Sequence, residues 1–199
     1  MARLPFSIGN RVSLDASRGL FYFADMPDFY DPFSAVSGHA GHIRERRPEV
    51  SEILPSLFVG EYPRTEDVVW LKHEFGISAV LSLQDDEDLT VNNLSLPDLR
   101  SAYRQHGVAF CRTPVTDFNC QSLADTLPQA LAELQTFVQG GDIVFLHCNA
   151  GCNRAPTLAI AYLHVHHGLG LDEARDFVKA RRVCGPYMEV LRAWSQGLS

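Results

Sequence analysis

A cysteine and an arginine six positions apart are the residues whose types and spacing best suggest chemistry. Cys148 and Arg154 enclose the five residues 149–153, and His147 precedes the cysteine. Five intervening residues allow the backbone to curl into a ring whose N–H groups face inward and bind an anion. Arg154 can close this ring with a planar fork that donates to two phosphate oxygens. We therefore predict a phosphate-binding loop formed by Asn149, Ala150, Gly151, Cys152, Asn153 and Arg154.

The same ring predicts a nucleophile. N–H groups that hold a phosphate also stabilise a thiolate, so Cys148 is expected to be ionised at neutral pH. A thiolate beside a bound phosphate monoester can attack phosphorus and form a phosphocysteine, which water then hydrolyses without a metal or other cofactor. The alternative is a buried structural cysteine with an unrelated arginine nearby. An apolar strand before the loop and a helix after it favour the catalytic interpretation.

The leaving oxygen of such a reaction needs a proton, and a carboxylic acid on a separate loop is the expected donor. Asp117 follows a predicted strand and precedes a long predicted helix, so its loop can reach over the pocket. Asp125 is the weaker candidate because it falls in the first turn of that helix, where acidic residues often interact only with the helix dipole. We assign the role of general acid to Asp117, and in the second step its carboxylate would activate water.

Short apolar strands alternate with helices along most of the chain. Strands are predicted at 57–59, 77–83, 108–111 and 143–146, and helices at 68–75, 97–106, 123–138, 155–166, 171–182 and 187–195. Thr65 and Ser122 are the predicted N-caps of two of these helices. The acidic run 85–88 is interpreted as a solvated loop, and Arg181 and Arg182 either add positive charge near Cys184 or simply end a helix.

This alternation predicts an α/β fold in which helices flank a central, mainly parallel sheet. The phosphate loop then lies where a strand ends and a helix begins, the usual anion site of such sheets. At 199 residues, 46% of them apolar, the chain is expected to form a single domain. We predict an extension at residues 1–50 packed on a catalytic domain at residues 51–199.

The amino-acid composition disfavours several classes of binding partner. The formal net charge is −7, without a basic block, which disfavours nucleic acid or an anionic membrane as the main partner. Five cysteines without paired spacing indicate neither a disulfide framework nor a zinc site. The sequence contains no sustained apolar stretch, so we predict neither a signal peptide nor a membrane span. We expect a cytoplasmic protein, and the sequence leaves its oligomeric state open.

Residues 147–154 match the signature His-Cys-x5-Arg of cysteine-based protein tyrosine phosphatases, and the chain resembles their dual-specificity branch. Residues 57–64, 71–81 and 127–130 are similar to segments of the glucan phosphatases of the laforin and plant starch-excess types. The resemblance implies a hydrolase of carbohydrate metabolism that removes phosphate from phosphorylated glucan, with Asp117 as the acid and Phe118 stacking on the sugar. Phe118, Tyr62 and Tyr187 are the candidate substrate contacts; ordinary core packing is the alternative for the two tyrosines.

Two residues limit what the resemblance implies. Ala155 stands where many relatives of the wider family carry a hydroxyl that helps the thiolate leave, which implies slower breakdown of the intermediate but agrees with the plant glucan phosphatases. Asn153 replaces a glycine of the glucan phosphatases and resembles RNA 5′-phosphatases instead. A dual-specificity protein phosphatase and an RNA 5′-phosphatase therefore remain alternative functions. A glucan-binding adaptor without activity is a further alternative, disfavoured by the intact Cys148, Arg154 and Asp117.

Overall fold

The structure is a computed structural model that describes residues 46–197. Its strands are β1 (Val50–Leu54), β2 (Leu57–Gly60), β3 (Ala79–Ser82), β4 (Ala109–Arg112) and β5 (Val144–His147). Its helices are α1 (Asp67–Phe75), α2 (Asp86–Val91), α3 (Leu96–Gln105), α4 (Cys120–Gln139), α5 (Arg154–His167), α6 (Leu171–Lys179) and α7 (Met188–Gln196). The predicted packing of the extension at residues 1–50 lies outside the described residues apart from its last five.

The five strands form one sheet in the order β1-β2-β5-β3-β4. β1 pairs antiparallel with β2, and the other neighbours are parallel. Gly60 of β2 and Ser82 of β3 both pair with His147 at the end of β5. The carboxyl ends of three strands therefore meet at one point, directly before Cys148. This confirms the predicted α/β fold with a mainly parallel central sheet flanked by helices.

Helices cover both faces of the sheet, which explains why the central strand β5 is buried throughout. Val144 and Leu146 of β5 belong to one buried cluster, which includes residues of α4, α5, α6 and α7. Phe145 points to the other face, into a cluster that includes residues of α1 and α3. α5 lies deepest, because every residue from Arg154 to Leu163 is buried. The helix that follows the loop is thus fixed on all sides. Among residues 46–197, no helix is long and apolar enough to cross a lipid bilayer.

Both predicted N-caps are wrong. Thr65 does not cap α1, whose N-cap is Glu66 without a side-chain hydrogen bond. Asn119 caps α4 by accepting from the Ser122 N–H, while the Ser122 hydroxyl accepts from the Thr116 N–H 2.9 Å away. Both Asn119 and Ser122 are residue types that cap helices well. Asn119 is the cap because the Ser122 hydroxyl instead bonds to Thr116 of the preceding loop.

Three further elements differ from the sequence predictions. The run interpreted as a solvated loop is the start of helix α2, with Asp85 as its N-cap. α6 ends at Lys179, so Arg182 does not lie in a helix. Strand β1 was not predicted, because its sequence Val-Ser-Glu-Ile-Leu buries only Ile53 fully and carries polar residues between.

Candidate active site

The loop after β5 has the strand, loop and helix arrangement that the spacing predicts. β5 ends at His147, Cys148 follows and is 3% exposed, and α5 begins at Arg154. Neighbouring backbone anchors both sides of the cysteine: the Leu83 N–H donates to the His147 carbonyl at 2.8 Å, and the Tyr62 N–H donates to the Asn149 carbonyl at 2.9 Å. Cys148 is therefore held at the floor of the site by the ends of the two strands beside β5.

Gly151 is the residue of this loop that tolerates no side chain. Its φ of 64° lies in the left-handed region, which glycine adopts without strain. A Cβ atom there would lie 2.3 Å from the carbonyl oxygen of Gly60 and 2.6 Å from Nη2 of Arg182. The turn of the loop thus depends on close approach between Gly151 and the end of β2.

The guanidinium of Arg154 is buried between two carboxylates. Nη1 donates to Asp88 Oδ2 at 2.6 Å and to the Val115 carbonyl at 2.8 Å, and Nη2 lies 2.9 Å from Asp117 Oδ2. Burial alone would lower the pKa of Arg154, but the hydrogen bond to Asp88 and the charges of Cys148 and Asp117 raise it overall. Nε is buried and has no acceptor among residues 46–197, so one donor of the guanidinium is left unpaired.

Asp88 is the residue of the site that the sequence analysis missed. It is 5% exposed, and besides Arg154 it accepts a short hydrogen bond from the side-chain amide of Asn149. The Asn149 side-chain oxygen accepts in turn from Gln84 at 2.7 Å and from Asn92 at 3.0 Å. Asp85 and Asp88 form a reciprocal capping box at the start of α2. The spacing of these two residues before the apolar Leu89 was the available signal for a helix start.

Asp117 lies on the loop between β4 and α4, with its side chain 30% exposed. Burial raises the pKa of Asp117, the charge of Arg154 opposes this rise, and the charge of Asp88 adds to it. The carboxyl group therefore stays protonated to a higher pH than an ordinary aspartate. Asp125, the weaker candidate, is exposed on α4 and accepts a hydrogen bond from Gln121. Of these two candidate acids, only Asp117 contacts Arg154, and its role as the acid stays a prediction.

The three candidate aromatic residues differ in exposure. Phe118 is 61% exposed and has a φ of 54°, which is unusual for a bulky residue. Tyr62 and Tyr187 are half-buried. Burial raises the pKa of Tyr187 to about 12, with a further contribution from the charge of Asp117. Tyr187 packs against the core, which agrees with the alternative considered for it, and its role as a substrate contact stays a prediction.

Other residues of the loop hold it in place. The Asn153 side-chain amide donates to the Gly185 carbonyl at 2.7 Å, which gives this asparagine a structural role independent of any substrate.

Burial raises the pKa of the Cys152 thiol. Within the described part of the chain, no group of three or more His, Cys, Asp or Glu residues is arranged to hold a metal ion.

Comparisons with known proteins agree with this geometry. Residues 57–196 match the family model described as dual specificity phosphatase, catalytic domain. Laforin of Mus musculus is 30% identical over 166 residues, covering 78% of this chain and 48% of laforin. The amyloplastic phosphoglucan phosphatase DSP4 of Castanea sativa is 26% identical over 143 residues, covering 71% of this chain and 38% of DSP4. The chain thus spans half or less of the length of these two relatives.

A solved structure shows the same fold. The crystal structure of Tk-PTP in the active form superposes with a TM-score of 0.63 at 25% sequence identity. The match covers 74% of this chain and 96% of that protein. The sheet and helices of residues 46–197 therefore follow a known phosphatase fold.

We predict that Asp88→Asn destabilises the protein far more than Asp86→Asn. Asp88→Asn removes the negative charge and one of the two acceptor oxygens that face the buried Arg154, which should lower the free energy of unfolding by about 3 kcal/mol. Asp86 lies two residues earlier on α2 and pairs with Arg112 from a side chain that is 91% exposed, so its loss should cost less than about 1 kcal/mol. Urea unfolding of both variants measures this difference. Equal losses would contradict a special role for Asp88.

Proposed function

The chain belongs to the dual-specificity phosphatase family, and from this premise we propose that it removes phosphate monoesters from a phosphorylated glucan through a phosphocysteine on Cys148. The observation that carries the chemistry is the position of Cys148 at the floor of a loop closed by a buried guanidinium. The fork of Arg154 is held in place by Asp88 and Asp117 and keeps a free Nε donor. This arrangement fits a phosphate dianion beside a thiolate.

The proposed reaction has two displacements. In the first, the Cys148 thiolate attacks phosphorus, the S–P bond forms, and the P–O bond to the sugar breaks while Asp117 gives its proton to the leaving oxygen. In the second, water attacks the phosphocysteine, the Asp117 carboxylate accepts a proton from that water, and the sulfur leaves as a thiolate. Arg154 and the loop N–H groups neutralise charge on the phosphoryl oxygens throughout.

The raised pKa of Asp117 suits the first displacement. A general acid works only in its protonated form, so burial of the carboxyl group extends its useful range upward in pH. When phosphate occupies the site, its charge adds to this effect by competing with Asp117 for Arg154. Ala155 offers no hydroxyl to the departing sulfur and is fully buried, which favours slow breakdown of the phosphocysteine.

The exposed ring of Phe118 is the feature that favours glucan. It lies next to the proposed acid and presents an apolar face to solvent, where the C–H face of a sugar ring can stack. The Tyr62 N–H donates to the Asn149 carbonyl of the loop, and the charge of Asp117 contributes to the raised pKa of Tyr187, so we include both tyrosines as further candidate contacts for the sugar. The similarity to laforin and to a phosphoglucan phosphatase supports the same substrate class.

A dual-specificity protein phosphatase is the second candidate, because it needs the same catalytic residues and only a different rim. An RNA 5′-phosphatase is less well supported. The net charge of −7 opposes a polyanionic substrate, and the hydrogen bond from Asn153 to Gly185 accounts for this asparagine without RNA. A glucan-binding adaptor would not need a buried Arg154 with a free Nε beside Cys148.

The role of Asp117 predicts a pH dependence. In the wild type, kcat/KM for a phosphate ester with a poor leaving group should fall as pH rises through the elevated pKa of Asp117, because the acid loses its proton. Asp117→Asn should remove this limb and lower the rate for phenyl phosphate about 100-fold or more, with little effect on dinitrophenyl phosphate. Asp125→Asn is the control and should behave as the wild type. An unchanged limb in Asp117→Asn would mean that another group is the acid.

The substrate proposal predicts a selective loss in Phe118→Ala. Phosphate release from phosphorylated amylopectin should fall about 3- to 10-fold because one stacking contact is lost, while p-nitrophenyl phosphate hydrolysis stays unchanged. Val165→Ala removes another exposed apolar side chain, near the far end of α5, and should change neither rate. The same assay should use a phosphotyrosine peptide and a triphosphate-ended RNA. Release from the peptide or the RNA that equals release from amylopectin would contradict the glucan proposal.

A further inference from the structure

Arg182 is a buried cation that the proposed chemistry does not use. It follows α6, is 7% exposed, and forms no ion pair with a carboxylate among residues 46–197. A buried guanidinium is costly unless its donors are satisfied. The two sequence interpretations, a charge near Cys184 or the end of a helix, do not account for this burial.

The guanidinium of Arg182 donates to the outer side of the phosphate loop. Nε donates to the Gly151 carbonyl at 2.5 Å, and Nη2 donates to the Ala150 carbonyl at 2.9 Å. Nη1 reaches the Ser51 hydroxyl of β1 at 3.3 Å and the Val59 carbonyl of β2 at 3.5 Å. The Arg182 side chain therefore links two carbonyls of the loop to strands β1 and β2.

The direction of these carbonyls sets the direction of the loop N–H groups. In a trans peptide the C=O and the following N–H point in opposite directions. Outward carbonyls on Ala150 and Gly151 therefore turn the N–H groups of Gly151 and Cys152 inward, toward the bound anion. We propose that Arg182 is a positioning residue for phosphate, which acts through these two peptide units.

The neighbouring carbonyls show the same pattern with other donors. The Tyr62 N–H holds the Asn149 carbonyl, and the Gly185 N–H holds the Cys152 carbonyl at 2.9 Å. Four consecutive loop carbonyls, from Asn149 to Cys152, thus each have an outer donor. Arg182 supplies donors for the middle two, and no backbone N–H among residues 46–197 donates to either. Its loss would leave the Gly151 carbonyl without a donor among these residues and the Ala150 carbonyl with only the Cys152 thiol, whose Sγ lies 3.5 Å away.

This inference rests on the proposed phosphate chemistry of the loop but not on the glucan substrate. The test is tungstate binding to the full chain by calorimetry, below the onset of thermal unfolding of each variant. Arg182→Met should weaken tungstate binding about 10- to 100-fold, since two charge-assisted hydrogen bonds that orient the loop are lost. Arg182→Lys keeps the charge but not the fork, and should fall between Arg182→Met and the wild type.

Arg181→Met is the matched control. Arg181 is the preceding residue, is exposed, and lies over the Phe177 ring at 3.5 Å, without contact to the loop. It should bind tungstate as the wild type does. A purely structural role of Arg182 would lower the melting temperature but leave tungstate affinity unchanged in the folded variants. Wild-type affinity in folded Arg182→Met, or in Arg182→Lys if the former does not fold, would overturn the inference. Failure of the wild type itself to bind tungstate would instead overturn the proposed function.

Discussion

The buried guanidinium of Arg154 is the constraint on which the rest of the site depends. An ion taken out of water costs several kcal/mol unless its partners offset the loss. Here the partners are Asp88 at the start of α2, Asp117 on the loop before α4, and the carbonyl of Val115. One cation therefore ties three separate segments to the end of the central strand. The folded domain and the proposed catalytic site are stabilised by the same contacts.

Hydrogen bonds on the side of the loop that faces away from the pocket fix the conformation of residues 149–153. Its carbonyls find donors in the backbone of neighbouring segments and in the side chain of Arg182, so its N–H groups remain available on the inner side. Gly151 permits this turn because only a residue without Cβ fits against Gly60. In the proposed site, Arg154 supplies the charge for phosphate, while residues outside the pocket, such as Arg182, set the direction of the loop amides. Binding and catalysis therefore draw on residues far apart in the sequence.

Local patterns were enough to predict the α/β fold and the loop, because a fully apolar strand, a Cys-x5-Arg spacing and a helix follow one another directly. Contacts between distant segments could not be predicted in the same way. Asp88 looked like part of a solvated acidic run because its partner Arg154 lies 66 residues later. Arg182 contacts Gly151, which lies 31 residues earlier in the chain. The sequence pattern placed Arg182 at the end of a helix, but α6 already ends at Lys179. Asn119, rather than the predicted Ser122, caps α4 because the Ser122 hydroxyl accepts a hydrogen bond from the Thr116 N–H.

Trapping of the covalent intermediate tests whether Cys148 is the nucleophile. Wild-type protein mixed with p-nitrophenyl phosphate, stopped by rapid denaturation within the first turnover and digested, can be analysed by mass spectrometry. The account predicts one phosphoryl group on the peptide that contains Cys148, assigned by fragmentation to that sulfur. It also predicts a burst of p-nitrophenol, because Ala155 slows the second displacement. Release of inorganic phosphate with Cys148 unmodified throughout, or with the phosphoryl group on another residue, would contradict it.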